Sequence, residues 1–195
     1  MQKIMLLIAV LMSTASCQLI MKKMYGIKDP EVENEQSIVR KAQKYKLDTS
    51  NIVTIGKSDY STSMKGQQIP DCAFFDAEGN YIEYRQSDTS CNAGIFGFIP
   101  ALTKEGVYNK TGKTTLSAEL AKFRTLKGMP LSAMPEADFY VLIYWTVFAG
   151  KLNKDHVKIW EDLARENAAC RIHVIKVNAD LQEYWEKAES INAIR

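Results

Sequence analysis

The pattern of apolar and polar residues predicts a strand, a helix and a second strand in each half of the chain. In the first half, residues 19–27 are apolar enough for a strand, Asp29-Pro30 begins a helix, and residues 51–55 form a short β-branched strand. In each half the two strands are about thirty residues apart, which is typical of a crossover between parallel strands. We therefore expect one parallel strand pair from each half.

In the second half, the corresponding strands are residues 139–145 and 172–177, which are both strongly apolar. Asn153 is expected to cap the helix between them, and Val157 and Trp160 lie on the apolar face of that helix. The recurrence of the same unit indicates a weak internal duplication, although two such units also arise by architecture alone.

Between these units, the pattern predicts a β-hairpin and a linker. Two strand-like runs, residues 72–75 and 81–84, flank a Glu-Gly-Asn turn, and a helix over residues 92–102 is expected to cover the sheet. Residues 104–113 are polar and contain glycine, which is typical of a linker. A further helix is expected over residues 115–126.

The composition is that of a globular protein with little net charge. Of the 195 residues, 46% are hydrophobic, and 25 Lys and Arg residues stand against 23 Asp and Glu residues. This balance excludes a disordered chain and argues against nucleic acid as a partner. His156 and His173 do not lie at metal-ligand spacing from cysteine or carboxylate side chains, so we expect no metal centre and no cofactor.

The first residues have the features of a secretion signal. Lys3 supplies a positive charge, residues 4–12 are apolar, and residues 13–16 are small and precede Cys17. The apolar run is shorter than the roughly 20 residues that cross a bilayer as a helix. We therefore predict that residues 1–16 are a signal peptide and that the mature protein leaves the cytoplasm.

Small residues before a cysteine resemble the lipobox of bacterial lipoproteins, in which that cysteine becomes the lipid-bearing first residue. Thr14 stands where most lipoboxes have an aliphatic residue, as in the looser signals of some Gram-negative groups such as the Bacteroidota. The resemblance implies a periplasm-facing outer-membrane lipoprotein anchored through Cys17. Gln18, Lys22 and Lys23, in place of an acidic run, favour this inward-facing location over surface display. The alternative is an ordinary signal peptide, cleaved after Ala15 or Ser16, which would leave Cys17 as a free thiol in an oxidising compartment.

Residues 141–152, which read VLIYWTVFAGKL, resemble the thioredoxin segment in which an apolar strand and a Trp lead into the redox Cys-Gly-x-Cys motif. Trp145 and Gly150 match that segment, whereas Ala149 and Leu152 stand at the two cysteine positions. Neither of these side chains forms a thiolate. The resemblance therefore implies a redox-inactive member of the thioredoxin-like fold family.

Residues 66–84 resemble a second thioredoxin feature, the cis-proline loop followed by a hairpin, with Ile69-Pro70 directly before the first strand. The order differs from that of thioredoxins, because this loop precedes the Trp-containing strand. The resemblance implies an α/β fold with a mixed sheet flanked by helices. The chain forms either two packed units, residues 17–112 and 113–195, or one permuted sheet, and we favour two units because each half has its own crossover.

The remaining cysteines, Cys72, Cys91 and Cys170, permit one disulfide with a thiol left over. Cys72 with Cys91 is the natural pair, and a non-standard thiol-disulfide oxidoreductase that uses these two cysteines is one functional hypothesis. The non-functional alternative is a structural disulfide or two buried thiols, since the chain contains no Cys-x-x-Cys motif.

A non-catalytic binding or assembly factor is the hypothesis that we favour, because Ala149 and Leu152 occupy the redox positions and two distant thiols lack preorganisation. Its partner would be another envelope protein, contacted through the edge that holds extended substrates in thioredoxins. Phe148 is the best candidate for an exposed contact on that edge, whereas Trp145 and Trp160 are expected in the core.

The signal predicts that Cys17 is acylated and that the protein fractionates with membranes. Labelling with a palmitate analogue in cells should mark the wild-type protein, and Cys17→Ser should abolish the label because the acceptor sulfur is removed. An unlabelled wild-type protein in the soluble periplasmic fraction would show that the signal is of the ordinary kind.

Overall fold

The structure, a computed structural model, describes residues 22–87 and 91–186, which form an α/β fold with helices on both faces of a seven-stranded mixed sheet. The fold class expected from the sequence is confirmed at this level. The strands are β1 (Val32–Glu33), β2 (Ile52–Ile55), β3 (Asp71–Asp76), β4 (Asn80–Ile82), β5 (Lys110–Thr115), β6 (Phe123–Thr125), β7 (Phe139–Trp145), β8 (Ile172–Asn178) and β9 (Leu181–Gln182), and the helices are α1 (Glu35–Lys44), α2 (Lys57–Met64), α3 (Ile95–Phe98), α4 (Leu116–Lys122) and α5 (Lys158–Glu166).

The main sheet has the strand order β5-β4-β3-β7-β8-β2-β6, and β1 and β9 form a separate parallel pair. Within the main sheet, β8 is parallel to both of its neighbours, β7 and β2, and all other pairs are antiparallel. Adjacent parallel strands need a crossover connection, and α5 lies in the connection between β7 and β8. The crossover predicted for the second half of the chain is therefore confirmed.

Strand β7 lies at the centre of the sheet, and all of its residues are buried. Successive side chains point to opposite faces, so that Val141, Ile143 and Trp145 enter one core and Leu142 and Tyr144 enter the other. The first core packs against α1, α3 and α5, and the second packs against α2 and α4. Because β7 is buried on both faces, its sequence is apolar without alternation.

Both halves of the chain contribute strands to this one sheet. β3 pairs with β7 over six residue pairs, from Asp71 with Tyr144 to Asp76 with Phe139. The boundary that we expected between residues 112 and 113 falls inside β5, which pairs with β4. The strands therefore follow the single-sheet alternative and not the two separate units that we favoured.

The crossover predicted for the first half is wrong. Residues 22–25 are helical instead of extended, and the parallel neighbour of β2 is β8 from the other half. The helix expected to start at Asp29 begins at Glu35, because Asn34 and Ser37 form a capping box there. The Ser37 N–H donates to Asn34 Oδ1 and the Asn34 N–H donates to Ser37 Oγ, which satisfies two main-chain donors at the helix start.

Two other predicted helices are shorter than expected. The helix predicted over residues 115–126 ends at Lys122, and the following residues pair with the open edge of β2 as β6. The helix predicted over residues 92–102 consists of a 3-10 turn, Asn92–Gly94, followed by α3. In the first case an available strand edge, which lies far away in the sequence, overrides local helix propensity.

A buried ion pair joins α5 to β8. Lys176 Nζ lies 2.8 Å from Glu161 Oε1, and the two side chains are 2% and 6% exposed. Glu161 Oε2 also accepts the Asp48 N–H at 3.1 Å. Each charge therefore has its compensating group within the protein, as a charge in an apolar layer requires.

Removal of one partner of this pair should destabilise the fold strongly. Lys176→Met leaves the Glu161 carboxylate buried without a counter-charge, and we expect the free energy of unfolding to fall by about 3–5 kcal/mol. The double variant Lys176→Met with Glu161→Gln removes both charges and keeps an oxygen for the Asp48 N–H, so it should recover most of the loss. Urea unfolding of the three proteins measures this, and a double variant less stable than Lys176→Met would contradict the explanation.

Candidate functional site

The loop that follows β7, residues 146–152, lies at the carboxyl end of the parallel strands, where open α/β sheets commonly bind ligands. Trp145, directly before it, is fully buried, as predicted. Ala149 is only 4% exposed, and Leu152 is half-buried. Of the two positions that resemble the redox cysteines, Ala149 is therefore enclosed and Leu152 is partly accessible.

The structure brings together the two segments that carry the thioredoxin resemblance. Asp71 at the start of β3 pairs with Tyr144, so the register places the preceding Pro70 next to Trp145. The Ile69-Pro70 peptide bond is cis, as predicted. The proline loop and the Trp-containing strand, which are far apart in the sequence, thus meet at one end of the sheet.

An N-terminal segment of the chain, residues 22–28, lies on the loop, and we refer to it as the docked segment. Two main-chain hydrogen bonds hold it: the Lys151 N–H donates to Tyr25 O at 2.7 Å, and the Lys28 N–H donates to Phe148 O at 3.0 Å. The Phe148 side chain, which we expected to be exposed, is half-buried. The protein therefore covers part of this edge with its own chain.

Gly150 permits this contact in two ways. Its backbone has φ 62° and ψ −130°, a conformation that residues with a side chain rarely adopt. A Cβ atom at this position would lie 2.3 Å from Tyr25 O and 2.5 Å from Gly26 O, well inside van der Waals contact. The glycine that matches the thioredoxin segment therefore allows a second main chain to approach closely.

The shape of the docked segment comes from its own helix end. Residues 22–25 are helical, and the helix stops at Gly26, which has φ 62°. The N–H groups of Gly26 and Ile27 donate back to carbonyls of the preceding turn, which is the Schellman pairing. Tyr25, the last helical residue, directs its carbonyl oxygen to the Lys151 N–H instead.

A buried polar network lies beneath the loop. Asp180 Oδ2 accepts the Val147 N–H at 2.6 Å and Asn178 Nδ2 at 2.7 Å. Gln182 Nε2 donates to Asn178 Oδ1 at 3.0 Å. The three side chains are at most 2% exposed. The network therefore ties the start of the loop to the residues that follow β8.

Asn153 contributes to the same layer and does not cap α5 as predicted. Residues 153–157 form a π-helical turn that leads into α5, and the Asn153 side chain donates through Nδ2 to Thr146 O at 2.8 Å. Buried polar atoms are usually hydrogen-bonded, but several buried polar atoms in and around this layer have no partner in the described part of the chain. The atoms without a hydrogen-bond partner among the described residues include Trp145 Nε1, Thr146 Oγ1, Asn153 Oδ1, Asp180 Oδ1 and Gln182 Oε1.

Burial raises the pKa of the Asp180 carboxyl from 3.8 to about 6. Hydrogen bonds from the Val147 N–H and the Asn178 side chain oppose this shift, because they favour the ionised form. The Glu33 carboxylate adds to the shift by repulsion. A carboxyl whose pKa of about 6 lies between the ordinary value and neutral pH thus lies directly under the loop.

The cysteines do not form the disulfide that we considered. Cys72, Cys91 and Cys170 are free thiols, with Cys72 buried in the core and Cys91 exposed. Burial, and after it the neighbouring Asp71 carboxylate, raises the pKa of the Cys72 thiol well above its usual value. The alternative of separate, packed thiols therefore describes Cys72 and Cys170. Cys17 lies outside the described residues.

A polar cavity of about 190 Å³ opens beside the start of β3. Asp71 lies in its wall, where it accepts the Tyr84 hydroxyl at 2.8 Å and pairs with Arg85. The cavity therefore presents charged and hydroxyl groups next to the proline loop. The lining also includes Gln67, Tyr81, Lys113, Glu119, Lys122 and Tyr144.

The polar network and the docked segment were both missed by the sequence analysis. Asn178 and Asp180, polar residues directly after an apolar strand, were a signal for the network, because the carboxyl ends of parallel strands are common sites. The docked segment had no comparable signal. Its contacts are made by main-chain atoms, and the one sequence requirement that we identify for them is the lack of a side chain at Gly150.

Within residues 22–87 and 91–186, no helix is long and apolar enough to cross a membrane, and no group of three or more His, Cys, Asp or Glu residues is placed to hold a metal ion. Comparison of the chain with protein-family models, with curated proteins and with solved structures found no match in any of the three. The functional argument therefore rests on the residues and geometry of this chain.

The raised pKa of Asp180 predicts a specific pH dependence of stability. Because the folded protein binds the proton more tightly than the unfolded chain, the contribution of Asp180 is most favourable below the unfolded pKa of 3.8 and is lost as pH rises through about 6. The loss between these limits is about 3 kcal/mol. Asp180→Asn keeps an oxygen for Val147 and Asn178 and should remove this loss, so its stability relative to wild type should rise with pH.

Urea unfolding from about pH 4 to about pH 7 measures the difference between the two proteins. Asp29→Asn is the control, because Asp29 has a 96% exposed side chain and lies outside the network. It should leave the pH dependence of the wild type unchanged. An Asp180→Asn protein whose stability follows the wild type in parallel across this range would show that Asp180 ionises normally.

Proposed function

We propose that the protein is a non-catalytic binding or assembly factor of the bacterial cell envelope, with a thioredoxin-like fold and a lipid anchor on Cys17. The observation that carries the proposal is the enclosed, thiol-free loop. Ala149 and Gly150 occupy the place where a redox motif would present its first cysteine, and the main chain of residues 25–26 lies over it. The location, facing the periplasm from the outer membrane, is supported by the N-terminal signal.

The strand arrangement supports the thioredoxin-like relationship. β8, β7, β3 and β4 are neighbours in this order, with β8 and β7 parallel and the next two strands antiparallel. The Trp-containing strand therefore lies beside the strand that follows the proline loop, with Pro70 next to Trp145. This is what the two resembling segments imply if the fold is permuted, so that the proline half comes first.

An oxidoreductase that uses Cys72 and Cys91 is less well supported. A thiol attacks a disulfide as the thiolate, and the reaction requires access to its sulfur. Cys72 is 2% exposed, and its raised pKa disfavours the thiolate. Cys91 is exposed, but no disulfide joins it to Cys72.

The contact surface of such a binding factor is best placed on the proline side of the loop. The Gly150 side is covered by the docked segment, whereas the cavity beside β3 offers Arg85 and Lys113 together with tyrosine hydroxyls. These groups bind polar or acidic segments through charge-assisted hydrogen bonds. Because the carboxylates Asp71 and Glu119 also line the cavity, an envelope protein with a polar extended segment is the partner that this surface fits.

The proposal predicts that the wild-type protein does not reduce insulin disulfides. The double change Ala149→Cys and Leu152→Cys, made in a Cys91→Ser background, restores the spacing of the redox motif at the start of a helical turn. It should form an internal disulfide and acquire reductase activity that is measurable but weak, because position 149 is only 4% exposed beneath the docked segment. Mass spectrometry after thiol alkylation detects the disulfide, and insulin turbidity measures the activity.

The single change Ala149→Cys in the same background is the matched control, because it supplies one thiol without a resolving partner. It should show no turnover. Wild-type activity that disappears on Cys72→Ser or on Cys91→Ser would overturn the non-catalytic proposal. A double variant whose cysteines stay reduced under oxidising conditions would remove the reason for placing Ala149 and Leu152 at a former redox site.

A further inference from the structure

The geometry points to a second role for the docked segment: it turns the loop at residues 146–152 toward the bilayer, so that this face lies against lipid headgroups. The inference rests on the proposed lipid attachment at Cys17. The proposed partner of this face is a membrane surface, and the proposed role of the docked segment is to orient the domain on it.

The length of the chain limits where the lipid lies. Tyr25, the first residue held on the loop, follows Cys17 by eight residues. Eight extended residues span at most about 28 Å, and the helical conformation of residues 22–25 shortens this reach. A domain of this size is about 40 Å across. The lipid therefore stays on the side of the domain that carries the loop.

Without docking, the tether would constrain the orientation much less. The next part of the chain held by the fold is β1, which begins at Val32, fifteen residues after Cys17. An extended tether of that length spans about 50 Å, which exceeds the width of the domain. The two main-chain hydrogen bonds and the close approach at Gly150 thus determine which face is near the membrane.

The net positive charge of this face favours binding to lipid phosphates. Residues 22–31 and 146–155, which comprise the docked segment, the loop and their immediate neighbours, contain five exposed lysines against three exposed carboxylates. Ammonium groups near an anionic membrane surface bind its phosphates favourably, and the attraction falls off within a Debye length. The short tether limits how far these lysines can lie from the membrane surface. They are Lys22, Lys23, Lys28, Lys151 and Lys154.

Fluorescence quenching by lipids tests the orientation, with full-length lipidated protein in vesicles of phosphatidylethanolamine and phosphatidylglycerol. Cys91→Ser removes the exposed thiol, and a labelled cysteine replaces either Lys151 or Val107. Val107 is fully exposed, and the adjacent Tyr108 ring packs 5.3 Å from Phe139 at the opposite end of β7. With a nitroxide on the headgroup, quenching should be severalfold stronger at Lys151→Cys than at Val107→Cys. Equal quenching would overturn the orientation.

Two glycine substitutions test whether the docked segment causes the difference between the probes. Gly150→Ala places a Cβ 2.3 Å from Tyr25 O, so the segment should be displaced and the difference lost. Gly66→Ala is the matched control, because Gly66 also has positive φ, 74°, but no atom lies within 4 Å of the added Cβ. It should keep the difference. If Gly150→Ala keeps it as well, the docked segment does not set the orientation.

A third variant covers the case in which Gly150→Ala does not fold. Lys28→Pro removes the N–H that donates to Phe148 O and lies outside the sheet and both cores. It should weaken the difference between the two probes, and an unchanged difference would count against the inference.

Labelling with a palmitate analogue separates this inference from the proposed function. A protein that is labelled and bound to vesicles, but is quenched equally at both positions, contradicts the orientation alone. A protein that is unlabelled and does not bind vesicles contradicts the lipid anchor, and the orientation falls with it.

Discussion

The antiparallel pairing of β3 with β7 is the constraint on which the rest of the structure depends. It joins the two halves of the chain over six residue pairs, and it places Pro70 beside Trp145 at the carboxyl end of the central strand. Because β7 is buried on both faces, the helices on either side also pack around this pair. Main-chain hydrogen bonds in a buried strand must be satisfied, so β7 needs β3 on one side and β8 on the other.

The loop after β7 is shaped by two contacts from opposite directions. From below, Asp180 accepts the Val147 N–H within a buried polar network, and from above the docked segment bonds to Phe148 and Lys151. Both contacts are directional hydrogen bonds, and they fix the path of the loop main chain at Val147, Phe148 and Lys151. This geometry is the basis of the proposed binding role, because thiol exchange requires that a second protein reach the attacking sulfur.

The segment docked on this loop also connects the proposed lipid anchor to the folded domain. In a protein held by a lipid at one end, the first fixed point of the chain determines the orientation of the domain, because the tether cannot extend beyond its contour length. Here that fixed point is the docked segment on the loop, close to the proline side where the polar cavity opens. A partner in the same membrane would reach the cavity from the side.

The sequence by itself determined the α/β class, the crossover from β7 to β8 and the hairpin of β3 and β4, because each depends on local pattern or on residues close together in the chain. The export signal and the resemblance of Ala149 and Leu152 to redox positions remain predictions from the sequence. Only the tertiary structure decided that β3 and β7 share one sheet, that residues 22–28 dock on the loop, and that Asp180 lies beneath it. Strand edges and main-chain donors look alike in any sequence, so the choice among distant partners depends on which arrangement buries the apolar strands and satisfies their hydrogen bonds.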